Sequence, residues 1–270
     1  MELLANLLRY ASPVCLGALG ETVGQKAGVI NIGLEGQMLT AAFAATYASV
    51  HSHSGWVGLA AGVAAGLAYG LVQSLFTLRL AADQVVVGTA MNLFALGLTS
   101  ALFRTAFGQG GQLLSLPALG RLVGPFDAVE LTLPVLVVLV TLALFRTRFG
   151  LALRAAGEFP PAVESAGFSV LRLRLIASVV GGLFAGLAGG YLALGSAGSF
   201  AENMTAGRGF VAIAMVTFGR WKPGWVFGAC LLVGAAELSQ FTLQAQNLPV
   251  PWIFALTSWS PRNSPPVAGR

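Results

Sequence analysis

Long apolar runs separated by short polar breaks organise this chain. The first run covers residues 3–19, with Arg9 inside it, and a polar turn at 21–26 follows. Further runs occupy 29–50, 55–78, 86–107, 131–145 and 175–194. At about 1.5 Å per helical residue, the longer runs cross a hydrocarbon core of about 30 Å. They are continuous rather than alternating. The segment 131–145 is apolar almost throughout, whereas the strands of an outer-membrane barrel alternate between apolar and polar. The pattern therefore predicts helical spans, in which each backbone group is satisfied within its own segment. The apolar segment 209–219 gives only roughly 16 Å of helix and cannot cross alone. With the polar stretch 196–208 before it, it reads either as an interrupted helix of the kind found at transporter sites or as a short interfacial helix. A last convincing run covers 225–243, and 248–256 is too brief to cross. The expectation is an all-α, polytopic transmembrane bundle of roughly seven to nine membrane segments, with room for half-spanning helices. The membrane domain is expected over 1–257, with a polar tail at 258–270.

Composition sharpens this picture. Of 270 residues, 56% are hydrophobic and 9% charged, and mean hydropathy is +0.79. Soluble domains carry about 25% charged residues, so the chain belongs in a membrane. The net charge of +5 is no nucleic-acid signal, because the excess sits in two loops. Residues 146–174 hold Arg146, Arg148, Arg154, Arg172 and Arg174 against Glu158 and Glu164, and Arg220 and Lys222 form a second basic turn. Such loops face the cytoplasm. Counting spans backward places the turn at 21–26 inside and the N-terminus outside. Glu2 and Arg9 interrupt any signal-peptide pattern, which predicts an uncleaved first helix. Gly58, Gly62, Gly66 and Gly70 form one row of small residues at helical spacing, and Ser178, Gly182, Gly186 and Gly190 form another. Both read as seams where a second backbone comes close. Trp56, Trp221, Trp225 and Trp252 fit interfacial belts.

Several chemistries are not expected. His51 and His53 share one short loop without carboxylate or cysteine partners, so they read as an exposed turn and not as a metal site. Cys15 and Cys230 lie in apolar stretches and read as small packing residues. No Ser/His/Asp arrangement is visible, and an enzyme is not expected. The lysines are Lys26 and Lys222, and neither follows a glycine. A phosphate-binding loop needs G-x-x-x-x-G-K-[ST], so any ATP is handled by another subunit.

Two stretches carry polar residues in informative places. Asn31 and Glu35 are four apart, and on a helix they would share one face. A carboxylate between apolar stretches is costly unless it faces protein or a water-filled cavity, which marks a functional-site candidate. The competing reading is a polar helix start, with Asn31 as its cap. Gln37, Gln84, Asn92, Glu202 and Asn203 are further candidates for a solute pathway, since amides and carboxylates suit hydroxyls and base edges. The second stretch is the basic loop. Arg154, Gly157 and Glu158 precede Pro160 and Pro161, and Gly167 follows five residues later than Ala162. Proline favours the first turn of a helix and glycine its end. A short, stiff helix is therefore expected there, held at the aqueous surface by Glu164 and the flanking arginines.

The blocks Gly20-Glu21, 27–36 (AGVINIGLEG), 153–158 (LRAAGE), 181–190 and 207–223 resemble the permease subunits of bacterial ABC importers, in the branch serving nucleosides and simple sugars. The resemblance spans about 3–243. It implies an inner-membrane permease working by alternating access. It also implies pairing with a second, related permease and with two cytoplasmic ATP-binding subunits that use ATP and Mg, and solute delivery by a lipoprotein or periplasmic binding protein. The short helix would dock into the ATPase, with Arg154, Gly157, Glu158, Pro160, Pro161, Glu164 and Gly167 as coupling residues. The family has a further span near its C-terminus, where this chain is either naturally short or changed in reading frame near Pro251. The rival expectations are an ion-coupled secondary transporter and a non-transporting membrane scaffold.

Overall fold

A computed structural model of the protein describes residues 2–108, 116–117, 119–124 and 126–245. The brief apolar stretch 248–256, the tail 258–270 and residues 109–115 of the long loop lie outside the described residues. Helix α1 (Glu2–Lys26) is followed by a non-helical leader, α2 (Leu34–Ser52) and α3 (Gly55–Ser74), which a π-helical turn extends to Arg79. Then come α4 (Gln84–Phe107), a two-stranded hairpin (β1, Arg121–Val123; β2, Phe126–Asp127) and α5 (Ala128–Arg146). Two short helices, α6 (Arg148–Glu158) and α7 (Pro160–Ser165), lead into α8 (Val170–Tyr191), which also ends in a π-helical turn. The short α9 (Arg208–Phe218) and α10 (Pro223–Ala245) complete the described chain. Among the described residues, five helices are long and apolar enough to cross a membrane: α1, α3, α4, α5 and α8, with their extensions. The protein is a polytopic helical membrane protein, and the small antiparallel hairpin is an addition to the expected all-α bundle.

Helix α1 departs most from expectation. The polar turn expected at 21–26 is its last helical turns. Every residue from Ala11 to Gly24 is buried, because α1 runs through the middle of the bundle against α5, α8, α9 and α10. A helix wrapped in protein is freed from facing lipid, and its polar groups find partners inside. Arg9 Nε donates to Glu130 Oε1 at 3.3 Å, and the Tyr191 hydroxyl donates to the same oxygen at 2.8 Å.

The two small-residue rows pack against each other. A Cβ added at Gly66 would lie 2.5 Å from Gly186 Cα, and one at Gly62 or Gly70 would lie 3.3 Å from Gly190 or Gly182 Cα. This antiparallel pairing of α3 with α8 is the close backbone approach that small residues permit. Cys15 and Cys230 are both buried free thiols.

Candidate functional site

Two non-helical stretches meet inside the bundle. The first, residues 27–33, links α1 to α2. The second, 198–207, leads into α9. Their depth is set by Gly17, whose added Cβ would touch Ala212, Met38 and Leu34. Gly17 lies about nine residues, roughly 13 Å of helix, from the end of α1 at Lys26. The starts of α2 and α9 therefore lie well within the membrane span. Irregular backbone at such depth occurs only where protein or a cavity satisfies it.

Glu35 joins the two stretches. Its carboxylate accepts from Gly207 N at 2.8 Å and from Gly209 N at 2.7 Å. A negative charge at the start of α9 meets unpaired N–H groups and the positive end of the helix dipole. The fit is close: a Cβ at Gly209 would stand 2.6 Å from the Glu35 backbone. Gly207 has φ +87, a conformation that glycine adopts without strain.

Asn31 and Glu35 do not share a helix face. Asn31 lies before α2, whose first flanking residue is Gly33, and no side chain caps the helix. Other groups hold the leader in place. Asn31 N donates to Glu21 Oε1 at 3.1 Å, and Ile30 N donates to Gln84 Oε1 at 2.8 Å. The Asn31 side chain points elsewhere: its Nδ2 donates to Gln37 Oε1 at 2.7 Å, while Gln37 Nε2 donates to the Gly66 carbonyl at 2.7 Å. Asn92 ties α4 to the start of α2, accepting from Gly36 N at 2.8 Å and donating to the Ile32 carbonyl at 2.9 Å.

Of the seven expected pathway residues, Glu35, Asn92 and Asn203 line one groove of about 420 Å³, with Leu93, Thr89 and Phe210 among its walls. Asn31 and Gln37 lie in the inner polar web, and Gln84 pins the leader. Glu202 faces out and forms a fork with Arg104, at 2.8 Å and 2.9 Å. The Arg104 guanidinium holds the Glu202 carboxyl below the usual carboxylate range. Sequence reasoning missed Glu21, which it placed in a polar turn. The signal was its spacing to Gln25, whose Nε2 donates to it at 2.9 Å. Among the described residues, no group of three His, Cys, Asp or Glu side chains comes together to hold a metal ion.

The expected short helix in the basic loop is α7, with Pro160 and Pro161 in its first turn and Gly167 at φ +83 behind it. An apolar cluster of Ala156, Val163, Val170 and Leu173 binds it to α6 and α8. The coupling candidates divide by where they face. Glu158, Pro161, Glu164 and Gly167 are exposed, and Pro160 is half-buried. Arg154 turns inward, its guanidinium 4.8 Å from the centre of the Phe145 ring. Gly157 packs against the end of α1, where a Cβ would stand 2.9 Å from Gly28 N. Phe159 and Phe168 are 63% and 55% exposed beside α7 and escaped the sequence reading, since a single aromatic carries no periodicity. Arg174 Nε donates to the Ala27 carbonyl at 3.2 Å. Trp221 Nε1 donates to Gln25 Oε1 at 2.7 Å. The basic loop and the α9–α10 turn thus converge on the same end of α1, next to the leader that reaches Glu35.

Comparison with known proteins gives the family of the chain. The chain is similar to the guanosine ABC transporter permease protein NupQ of Bacillus subtilis, with 34% identity over 85% of this chain and 79% of the relative. A second Bacillus subtilis protein, the guanosine ABC transporter permease protein NupP, is 28% identical over 90% of this chain and 73% of its own length. A putative glucose ABC transporter permease of Haloferax volcanii is 31% identical over 91% of this chain and 79% of the relative. No solved structure matches significantly. The family model described as the branched-chain amino acid transport system / permease component matches residues 3–258, and the chain belongs to that family of transport permeases.

Proposed function

We propose that this chain is one half of the membrane pathway of an ATP-driven importer for nucleosides or simple sugars, in the plasma membrane of a bacterium. The observation that carries this is the mid-depth meeting of two interrupted segments at Glu35, beside an open groove. Interrupted helices whose ends face a cavity are a recurrent way of building a transport site. The groove suits a flat or ring-shaped polar solute. Leu93 and Phe210 offer apolar wall, and Asn203 an amide at its rim. Glu35 and Asn92 spend their hydrogen bonds on backbone, so they hold the walls in place. Asn31 and Gln37 anchor the leader behind them, Gln84 pins it, and Glu202 steadies the segment that carries Asn203.

The groove is open along α4. A second, related permease closes it, in keeping with the similarity of this chain to two guanosine permease proteins of one organism. Residues 1–257 form the membrane domain and 258–270 the tail; counting α2, α9 and α10 beside the five long spans gives eight segments among the described residues, within the expected seven to nine. The basic loop 146–174 lies in the cytoplasm. There two ATP-binding subunits use ATP and Mg, and a lipoprotein or periplasmic protein delivers solute from the other side. Glu158, Pro161, Glu164 and the aromatic pair Phe159 and Phe168 make the docking surface. Arg154, Gly157, Pro160 and Gly167 shape it. Closure of the ATPase then pulls on α6 and α8, hence on Ala27 and Gly28, hence on the leader to Glu35. Such coupling requires the ATPase to bind the two permease states differently.

Replacement of residues 158–166 by a flexible Gly/Ser segment tests this reading in the assembled transporter. Membrane insertion and permease pairing are expected to persist, while ATP-driven uptake into vesicles and co-purification of the ATPase are lost. Undiminished uptake would end the docking role and most of the case for an ATP-driven importer.

A further inference from the structure

A small cavity of mixed lining lies between α1, α3 and α8, with Glu21, Asn31, Gln73, Ser74 and Ser178 among its polar residues. Its volume is about 20 Å³, enough for one water-sized particle. Glu21 is 3% exposed and Gln73 5% exposed. The Glu21 carboxylate accepts from two neutral donors, Gln25 Nε2 and Asn31 N. Among the described residues, no Lys, Arg or His pairs with it. A buried carboxylate without a counter-charge is costly.

Two of the lining residues also carry amide oxygens that are left without a donor. Asn31 Oδ1 and Gln73 Oε1 are buried and have no partner. The Asn31 amide cannot be turned to change this, because the Gly66 carbonyl orients Gln37 and Gln37 orients Asn31. The hydroxyls are committed too: Ser74 donates to the Gly70 carbonyl at 2.6 Å, and Ser178 to the Arg174 carbonyl at 3.0 Å. A water here would satisfy two acceptors with its protons. The carboxylate charge would remain unmatched. A cation answers both needs. A single carboxylate with neutral oxygens matches one positive charge, and hard oxygen ligands suit Na⁺ or K⁺ over a transition metal.

We infer that this cavity binds one dehydrated monovalent cation, Na⁺ or K⁺, against Glu21, Asn31 and Gln73. The ion cross-links α1, the leader and α3 beside the segment that receives the basic loop. It is a bound counter-ion of the folded permease and has no need to move with the solute.

The test is thermal unfolding of the full-length protein in lipid nanodiscs, in NaCl, KCl or choline chloride at constant ionic strength. Choline is too large to enter. Binding to the folded state alone raises Tm with cation concentration, and a saturable rise of about 3 °C over choline is expected in NaCl or KCl. Which of the two acts at lower concentration identifies the ion. Glu21→Gln removes the charge and is expected to abolish the difference between salts. If that variant does not fold, Gln73→Leu carries the test, since it keeps the carboxylate and should move the midpoint to at least tenfold higher cation. Identical Tm values in all three salts for the unaltered protein would overturn the site in favour of a water or a protonated Glu21. A cation response that survives in Gln73→Leu with an unchanged midpoint would overturn it as well.

Discussion

Helices α1 and α4 are of similar length, yet they meet opposite surroundings. Helix α1 carries Arg9 and Glu21 and is buried without a break from Ala11 to Gly24. Helix α4 is more apolar, and its buried positions are Gly88, Ala95, Thr99 and Phe103. Leu93 and Phe94 on α4 are 71% and 60% exposed. In a soluble protein the more apolar helix would be the inner one. Here lipid is as apolar as a leucine side chain, so hydrophobicity gives no drive to bury α4. What earns an inner place is polar complementarity and close packing, and α1 has both.

The comparison predicts unequal sensitivity. The largest effect is expected from Arg9→Met, which keeps an apolar stem but leaves the fully buried Glu130 without its guanidinium. Breaking a buried pair on one side costs about 3–5 kcal/mol, so folded yield should collapse and the melting transition of any survivor should fall sharply. An unchanged melting curve would show that other groups satisfy Glu130 and that α1 is not held by this network. Next comes Gly186→Val in the α3–α8 seam. The new Cβ would meet Val63 Cα at 2.6 Å and the Gly62 carbonyl at 2.9 Å. These are backbone atoms with no rotamer to change. Overpacking of this kind costs about 1–3 kcal/mol, read as a lower Tm in nanodiscs. The smallest effect should come from Gly97→Ala on α4, where an added Cβ meets nothing within 4 Å. Relief of helix-interior glycine should leave stability unchanged or raise it by about 0.5–1 kcal/mol. A loss of permease pairing in that variant, with the isolated chain intact, would show that the partner permease covers this face.

Legibility followed the same divide. The short α7 was readable from Pro160, Pro161 and Gly167, because those residues act on the backbone within one turn of themselves. The short α9 was readable from run length alone, and the two small-residue rows from their spacing. The Asn31 to Glu35 face was misjudged for a local reason with a distant cause. Four-residue spacing implies a shared face only inside a helix, and Glu21 and Gln84 hold the leader out of α2 through Asn31 N and Ile30 N. Those acceptors are ten and 54 residues away, beyond any periodicity. The polar turn at 21–26 failed likewise. Glu21 and Gln25 look like a break until one sees that α1 lies inside the bundle.

By itself the sequence determined that this is a membrane protein of helical spans, which of its loops are basic, where the short α7 and α9 lie and which glycines form seams, though not the short α6. All of these follow from local composition, from the period of the helix and from the cost of exposing backbone to lipid. Only the tertiary structure decided which span is innermost, that the two glycine rows face each other, and that Glu35 closes on Gly207 and Gly209. It also decided that Glu21, Asn31 and Gln73 surround one cavity. These are choices of partner among residues far apart in the chain, and burial beside a matching group, not hydropathy, makes them.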